Sequence, residues 1–175
     1  MGRTVSQLII HHTACGHGTV EAIRAEHKGR GWTDIGYHWI IGNGQGIPDG
    51  HIAAGRPEDL QGSGVKLNNR GKLQVVLIGN FEKGNPGYSG PPTKRQLSAL
   101  GHWLLVNGKK YAVKGNYPAI LGHKEAALPK FPTACPGNQL PLILIRLWYN
   151  RATQAEKAKK PFLSLDSFIE HHKQI

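Results

Sequence analysis

A chain of 175 residues, of which 39% are hydrophobic and 19% are charged, has the composition of one folded domain and not of a disordered protein. No apolar run approaches the roughly 20 residues that a membrane-spanning helix needs, so we expect no membrane span. The net charge is +11, from 22 Lys and Arg residues against 11 Asp and Glu residues. A basic surface attracts nucleic acids, anionic membranes and anionic wall polymers alike, so charge alone does not select a partner.

The first half of the chain contains signals for three strands and one helix. A short apolar run predicts a strand over residues 5–13. A threonine at a helix start and the spacing of apolar residues predict a helix over residues 19–28. Segments 37–41 and 51–54 flank a Gly-Asn-Gly turn and predict a hairpin. A Gly- and Asn-rich loop is expected over residues 56–71.

The second half alternates strands with helices. A continuous apolar run over residues 73–78 predicts a buried strand. Thr93 and Gln96 form a capping box that begins a helix. A short strand over residues 119–122 and a helix over residues 139–149 complete the pattern. The fold class predicted from this alternation is α/β, with a central mixed β-sheet flanked by helices.

Histidines and cysteines are the residues that could carry chemistry. Side chains alternate along a strand, so His11 and His12 should face opposite ways, and only one of them would enter a given site. His123 ends a predicted strand, and Cys135 follows in a Pro/Gly turn. One histidine of the first strand with these two residues would supply three ligands and leave a fourth position open, as in catalytic zinc sites. A buried, inert Cys135 remains the alternative at this level, and Cys15 is expected to be a packed or supporting thiol.

Several longer motifs occur together and in a fixed order over residues 6–150. They are IIHHTA (9–14), GWTDIGYHWII (31–41), AGR (54–56), LIGNF (77–81), PT with QL (92–97), GH (122–123) and TACPG (133–137). In this order they resemble the type 2 N-acetylmuramoyl-L-alanine amidases. That family shares its fold with small phage lysozyme-type amidases and peptidoglycan-recognition proteins.

The resemblance implies a role for individual residues. The family's three zinc ligands match His11, His123 and Cys135. Its catalytic tyrosine matches Tyr37, and Thr133 occupies a position where members carry lysine or threonine. The hydroxyl groups of Tyr37 and Thr133 are expected to stabilise the negative charge that develops on the substrate oxygen.

Two features depart from the family pattern. The family places its second histidine and its cysteine closer together, so about four extra residues around 128–131 should lengthen a loop here. Many members also carry a substrate-contacting histidine where this chain has Gly64. Asn69 still matches a nearby family asparagine, and Asn69 and Asn80 are the expected substrate-binding residues.

The resemblance therefore implies zinc-dependent hydrolysis of the amide bond between the lactyl group of N-acetylmuramic acid and L-alanine in bacterial peptidoglycan. The alternative is a peptidoglycan-binding module on the same fold that has lost its metal. A nucleic-acid partner is not expected, because the basic residues are scattered and form no recognisable motif. The expected partners are peptidoglycan and, through the basic surface, anionic wall polymers.

The domain organisation and the setting are also predicted. Residues 1–150 are expected to form the zinc amidase domain, and residues 151–175 a basic C-terminal tail with an amphipathic helix at 162–169. No signal peptide is recognisable. By analogy with the family, the chain is interpreted as a monomeric phage endolysin that stays in the host cytoplasm until it is released to the wall.

Overall fold

The computed structural model describes residues 3–114 and 119–172, which form one mixed five-stranded sheet and five helices. The strands are β1 (Gln7–His12), β2 (Trp39–Ile41), β3 (Ile52–Ala54), β4 (Lys72–Leu77) and β5 (Ile120–Gly122). The helices are α1 (Val20–Gly29), α2 (Lys94–Lys110), α3 (His123–Ala126), α4 (Leu142–Lys157) and α5 (Leu165–His172). This architecture confirms the predicted α/β class.

The sheet has the strand order β3-β2-β4-β1-β5. β4 is the central strand, and β1 lies between β4 and β5 and is parallel to both. β2 is also parallel to β4, whereas β3 returns antiparallel to β2 as the predicted hairpin. Because β1, β4 and β5 run the same way, their carboxyl ends meet at one edge of the sheet.

The two faces of the sheet pack against different partners. Leu8 and Ile10 of β1 belong to the larger core cluster, which α2, α4 and α5 cover. Ile9 points to the other face, where it packs with Val65 and Leu121. The alternation along β1 therefore places His11 on the Ile9 face and His12 on the helix-covered face.

The C-terminal region continues the fold beyond the predicted domain boundary. The helix predicted over residues 139–149 extends from Leu142 to Lys157, so a boundary after residue 150 falls inside α4. α5 then packs against α2 and α4, with Leu165, Phe168 and Ile169 buried. Residues 173–175 of the predicted tail lie outside the described part of the chain. Among the described residues, no helix is both long and apolar enough to cross a membrane.

The position of Gly101 shows how closely α5 approaches α2. A Cβ atom at Gly101 would lie 2.9 Å from Leu165 of α5 and 2.9 Å from the Trp148 ring of α4. The Trp148 indole N–H donates a hydrogen bond of 2.8 Å to the Leu163 carbonyl in the segment that leads into α5. The last helix is thus part of the packed core.

This packing predicts that α5 contributes to stability. Phe168→Ala removes a side chain that is 5% exposed, and we expect it to lower the free energy of unfolding by about 3–5 kcal/mol. Phe162→Ala is the matched control, because Phe162 is 42% exposed and should cost less than about 1 kcal/mol. Urea denaturation measures both values. Equal values for the two variants would show that α5 is a dispensable tail.

Candidate metal centre

Three ligand-type side chains converge at the carboxyl edge of the sheet. His11 lies near the end of β1, His123 begins α3 directly after β5, and Cys135 lies in the turn that precedes α4. One ligand atom of each residue lies within 4.8 Å of those of the other two. His11 Nδ1 and Cys135 Sγ are 3.7 Å apart, and the rings of His11 and His123 have centroids 4.7 Å apart. The structure thus brings together the three residues predicted as zinc ligands.

Local hydrogen bonds hold Cys135 in place. The His12 backbone N–H donates to Cys135 Sγ at 3.3 Å, and the Cys135 N–H donates to Thr133 Oγ1 at 3.2 Å. Gly137 closes the turn with a φ of 94°, and a Cβ atom there would overlap the backbone of Phe81. Glycine is therefore required for this turn to approach the chain after β4.

Burial sets the protonation states of the cluster. Desolvation lowers the pKa of His11 well below its usual value, and the neighbouring His123 adds to this effect. Desolvation also lowers the pKa of His123 to about 4 and raises the pKa of Cys135 to about 12. Both imidazoles are therefore neutral at pH 7 and can donate a lone pair to a metal ion, whereas the thiol releases its proton when a metal binds.

Two residues near His11 in the sequence lie outside the cluster: His12 as predicted, and Cys15, which was expected to be a packed or supporting thiol. His12 faces away from the cluster, and its Nδ1 accepts a hydrogen bond of 3.0 Å from the Phe81 N–H. Cys15 is exposed. Neither belongs to the group of side chains that could hold a metal.

Tyr37 lies beside the cluster. Its ring centroid is 4.9 Å from that of His11 and 5.4 Å from that of His27, so it lies between two imidazoles. Tyr37 precedes β2 instead of belonging to it, and it lines a small cavity of about 200 Å³. Desolvation raises the pKa of the Tyr37 hydroxyl above its usual value, so the hydroxyl keeps its proton at neutral pH.

A larger groove of about 620 Å³ opens beside the cluster. His123 and Thr133 lie in its wall, so the groove gives access to two of the predicted site residues. The remaining lining residues come mainly from the two long loops around residues 63–69 and 127–133; these residues are Trp32, Ser63, Gly64, Lys66, Leu67, Asn69, Ala127, Phe131 and Pro132. The extra loop residues noted in the sequence thus supply part of one wall.

The two asparagines predicted to bind substrate have different positions. Asn69 lines the groove, and its Oδ1 accepts hydrogen bonds of 2.9 Å from both the Val65 N–H and Gln74 Nε2. Asn80 is buried in its own loop, where its Nδ2 donates to the Pro86 carbonyl at 3.1 Å. Asn80 is not among the residues that line the groove, and its contacts are those of a residue that stabilises a loop.

Sequence reasoning missed several groove residues. Trp32 is half-buried, lines the groove and has its ring centroid 4.6 Å from that of His27. Lys66 Nζ lies 4.4 Å from the ring centroid of Phe131, which links the two loops across the groove. Periodicity gives no signal for contacts between irregular loops, so the sequence pattern could not have identified these residues.

Two neutral imidazoles and a thiol beside a groove are a donor set of the kind found in catalytic metal sites. The sequence profile of the N-acetylmuramoyl-L-alanine amidase family matches residues 1–138, and the chain belongs to this family. The chain is 38% identical over 141 residues to an endolysin of Enterobacteria phage K11, covering 77% of this chain and 82% of that protein.

Solved structures agree with this assignment. The N-acetylmuramoyl-L-alanine amidase LysC from Clostridium intestinale URNW is 27% identical with a TM-score of 0.69, and the match covers 91% of this chain and 88% of that chain. Drosophila peptidoglycan-recognition protein SD is also 27% identical, with a TM-score of 0.65 and coverage of 86% of each chain. The family resemblance and the fold inferred from the sequence motifs are therefore confirmed.

The buried histidines predict a loss of stability in mild acid. The folded-state pKa is about 4 for His38 and His123, whereas an unfolded histidine titrates near 6.5. Between pH 6.5 and 4 the unfolded chain binds more protons than the folded chain. The free energy of unfolding should therefore decrease as the pH is lowered. The expected loss is up to about 1.4 kcal/mol per pH unit for each histidine that stays neutral.

Urea denaturation of the metal-free protein at pH 7 and pH 5 measures this loss. His38→Gln should reduce the slope between the two values, because its contribution is removed. Stability that is constant or increases toward pH 5 would contradict the burial of neutral histidines. Carboxylates titrate mainly below this interval, so they do not account for the change.

Proposed function

We propose that this chain hydrolyses the amide bond between the lactyl group of N-acetylmuramic acid and L-alanine in bacterial peptidoglycan, with zinc as its cofactor. The observation that carries the proposal is the convergence of His11, His123 and Cys135 beside an open groove. The family assignment and the phage endolysins among the relatives support a role in cell-wall lysis. By analogy with these relatives, we propose that the enzyme acts on the wall as a monomer after release from the host cytoplasm.

The donor set fits a zinc ion. Nitrogen and sulfur ligands suit this metal, and three protein ligands leave a fourth position for water or substrate. A zinc ion held there supplies a water nucleophile active near neutral pH and a Lewis acid for the scissile carbonyl. His123 lies in the groove wall, so a metal ion held by it would lie next to a substrate in the groove.

Two hydroxyl groups, those of Thr133 and Tyr37, are the proposed donors that stabilise charge on the substrate oxygen. Thr133 Oγ1 accepts the N–H of Cys135, so its own proton is available for donation into the groove. The raised pKa of Tyr37 keeps its phenol proton in place, as a hydrogen-bond donor to a developing oxyanion requires. Thr133 lies in the same turn as Cys135, and the Tyr37 ring packs against the His11 ring from the segment before β2.

The groove supplies the binding surface for the polymer. Trp32 and Phe131 offer aromatic surface, Lys66 offers positive charge, and Asn69 offers an amide at the groove wall. These groups suit a substrate that carries both sugar rings and acidic peptide groups. A binding-only module needs no Cys135 thiol beside two neutral imidazoles, so the converged ligands favour the hydrolase over the alternative.

The zinc assignment predicts different effects for the two cysteines. Cys135→Ala should lose both bound zinc and amidase activity, because it removes one of three ligands. Cys15→Ala is the matched control: Cys15 is exposed, and its loss should leave both unchanged. Elemental analysis and release of stem peptides from purified walls measure the two quantities. Full activity after thorough chelation would contradict the proposal.

A substitution at Tyr37 should affect the reaction rate without affecting metal binding. Tyr37→Phe keeps the ring between the two imidazoles and removes only the hydroxyl, so the protein should keep its zinc and lose roughly 10²–10³ of its rate. Tyr149→Phe removes another buried hydroxyl, which donates to the Val113 carbonyl at 3.2 Å between α2 and α4. It should lower stability and leave the rate constant unchanged. A wild-type rate for Tyr37→Phe would make Tyr37 a packing residue.

A further inference from the structure

Gln74 is a buried polar residue on the face of the sheet that carries the metal centre. It lies in the middle of β4 with 0% exposure, between apolar neighbours. In the parallel register Gln74 pairs with Ile9, and Ile9 shares its face of β1 with His11 two residues later. A buried amide on an apolar strand requires a hydrogen-bonding partner.

One end of the Gln74 amide has such a partner. Gln74 Nε2 donates a hydrogen bond of 2.9 Å to Asn69 Oδ1, and the Val65 N–H donates to the same oxygen at 2.9 Å. This arrangement fixes the orientation of the amide, because its nitrogen must face Asn69. The amide oxygen, Oε1, therefore points away from Asn69.

The other end of the amide lies beside an unpaired atom of the metal centre. Gln74 Oε1 and His11 Nε2 are both buried, and neither forms a hydrogen bond within residues 3–114 and 119–172. A Cβ atom placed on Gly64 would overlap Gln74 Oε1 and lie 3.1 Å from His11 Cε1, so both side chains border the same point. One atom is an acceptor, and the other becomes a donor when it carries the ring proton.

The ligand geometry determines which nitrogen of His11 carries that proton. Nδ1 lies 3.7 Å from Cys135 Sγ, so Nδ1 faces the metal position. A metal-bound Nδ1 must be unprotonated, which places the proton of the neutral ring on Nε2. Metal-ligating histidines usually donate the proton on their second nitrogen to a carbonyl or carboxylate oxygen.

We propose that Gln74 is the positioning residue of the metal centre, whose Oε1 accepts the Nε2 proton of His11 and thereby directs Nδ1 at the metal. This inference rests on the zinc site of the proposed function. Gly64 is required for this contact, because any side chain at that position would displace the Gln74 oxygen. Glycine at this position leaves room for the Gln74 amide.

The first test compares two buried glutamines. Gln74→Leu should weaken zinc binding by 10- to 100-fold, the usual effect of losing such a partner. Gln96→Leu is the control: Gln96 is 1% exposed and donates to the Ile41 and Ile78 carbonyls, away from the ligands. It should leave zinc affinity within about twofold. Competition between protein and a chromophoric chelator for Zn²⁺ alone measures the affinity without reference to catalysis.

A second pair of variants tests the same contact without removing the glutamine. Gly64→Ala should displace Gln74 Oε1 and weaken zinc binding, whereas Gly29→Ala has open space around it and should not. In the zinc-loaded protein, long-range ¹H–¹⁵N spectra should show a slowly exchanging Nε2 proton on His11. This proton should exchange faster in Gln74→Leu and Gly64→Ala. These measurements decide the question even if Gln74→Leu does not fold.

The outcomes separate this inference from the function on which it rests. Wild-type zinc affinity in folded Gln74→Leu or in Gly64→Ala would overturn the role of Gln74 and leave the zinc centre intact. An equal loss in Gln74→Leu and Gln96→Leu would assign the effect to general destabilisation and overturn it as well. A wild-type protein that binds no zinc would overturn the metal centre itself, and with it the role of Gln74.

Discussion

The parallel pairing of β1 with both β4 and β5 is the constraint on which the rest of the site depends. Parallel strands end at the same edge, so the chain leaves β1, β4 and β5 close together. His11 is then placed by its position in β1, and His123 by the first residue after β5. The turn that carries Cys135 is fixed to the same edge by a hydrogen bond from the His12 backbone. Cluster geometry therefore follows from hydrogen bonding in the sheet.

Burial at this edge gives the side chains their chemical character. The same desolvation that keeps both imidazoles neutral also keeps the proton on the Tyr37 hydroxyl. Lone-pair donors and a hydrogen-bond donor thus coexist in one environment, although a charged group would be costly there. The thiol is the exception, because burial raises its pKa and it would have to ionise to bind a metal; a bound cation would offset the cost of the buried thiolate.

Sequence patterns predicted the elements that follow a periodic rule. Alternation along β1 correctly separated His11 from His12, and the capping box at Thr93 correctly marked the start of α2. The prediction that His11, His123 and Cys135 form one set of ligands came from the family motifs, because spacing alone did not decide which histidine of β1 takes part. The end of α4 was missed because residues 150–157 are polar, and helix propensity together with packing of Ala152 continues the helix without an apolar signal.

The groove has a different physical origin from the metal centre. Its walls are irregular loops that meet through side chains such as Lys66 and Phe131, while the ligands are held by the backbone of the sheet and the turn beside it. A change at Lys66 or Phe131 alters the charge and width of the groove, whereas Gly64 in the same loops borders the side chains of Gln74 and His11. The fold therefore allows the outer wall of the groove to diverge in sequence, while the sheet and Gly64 keep His11, His123 and Cys135 at the same distances from one another.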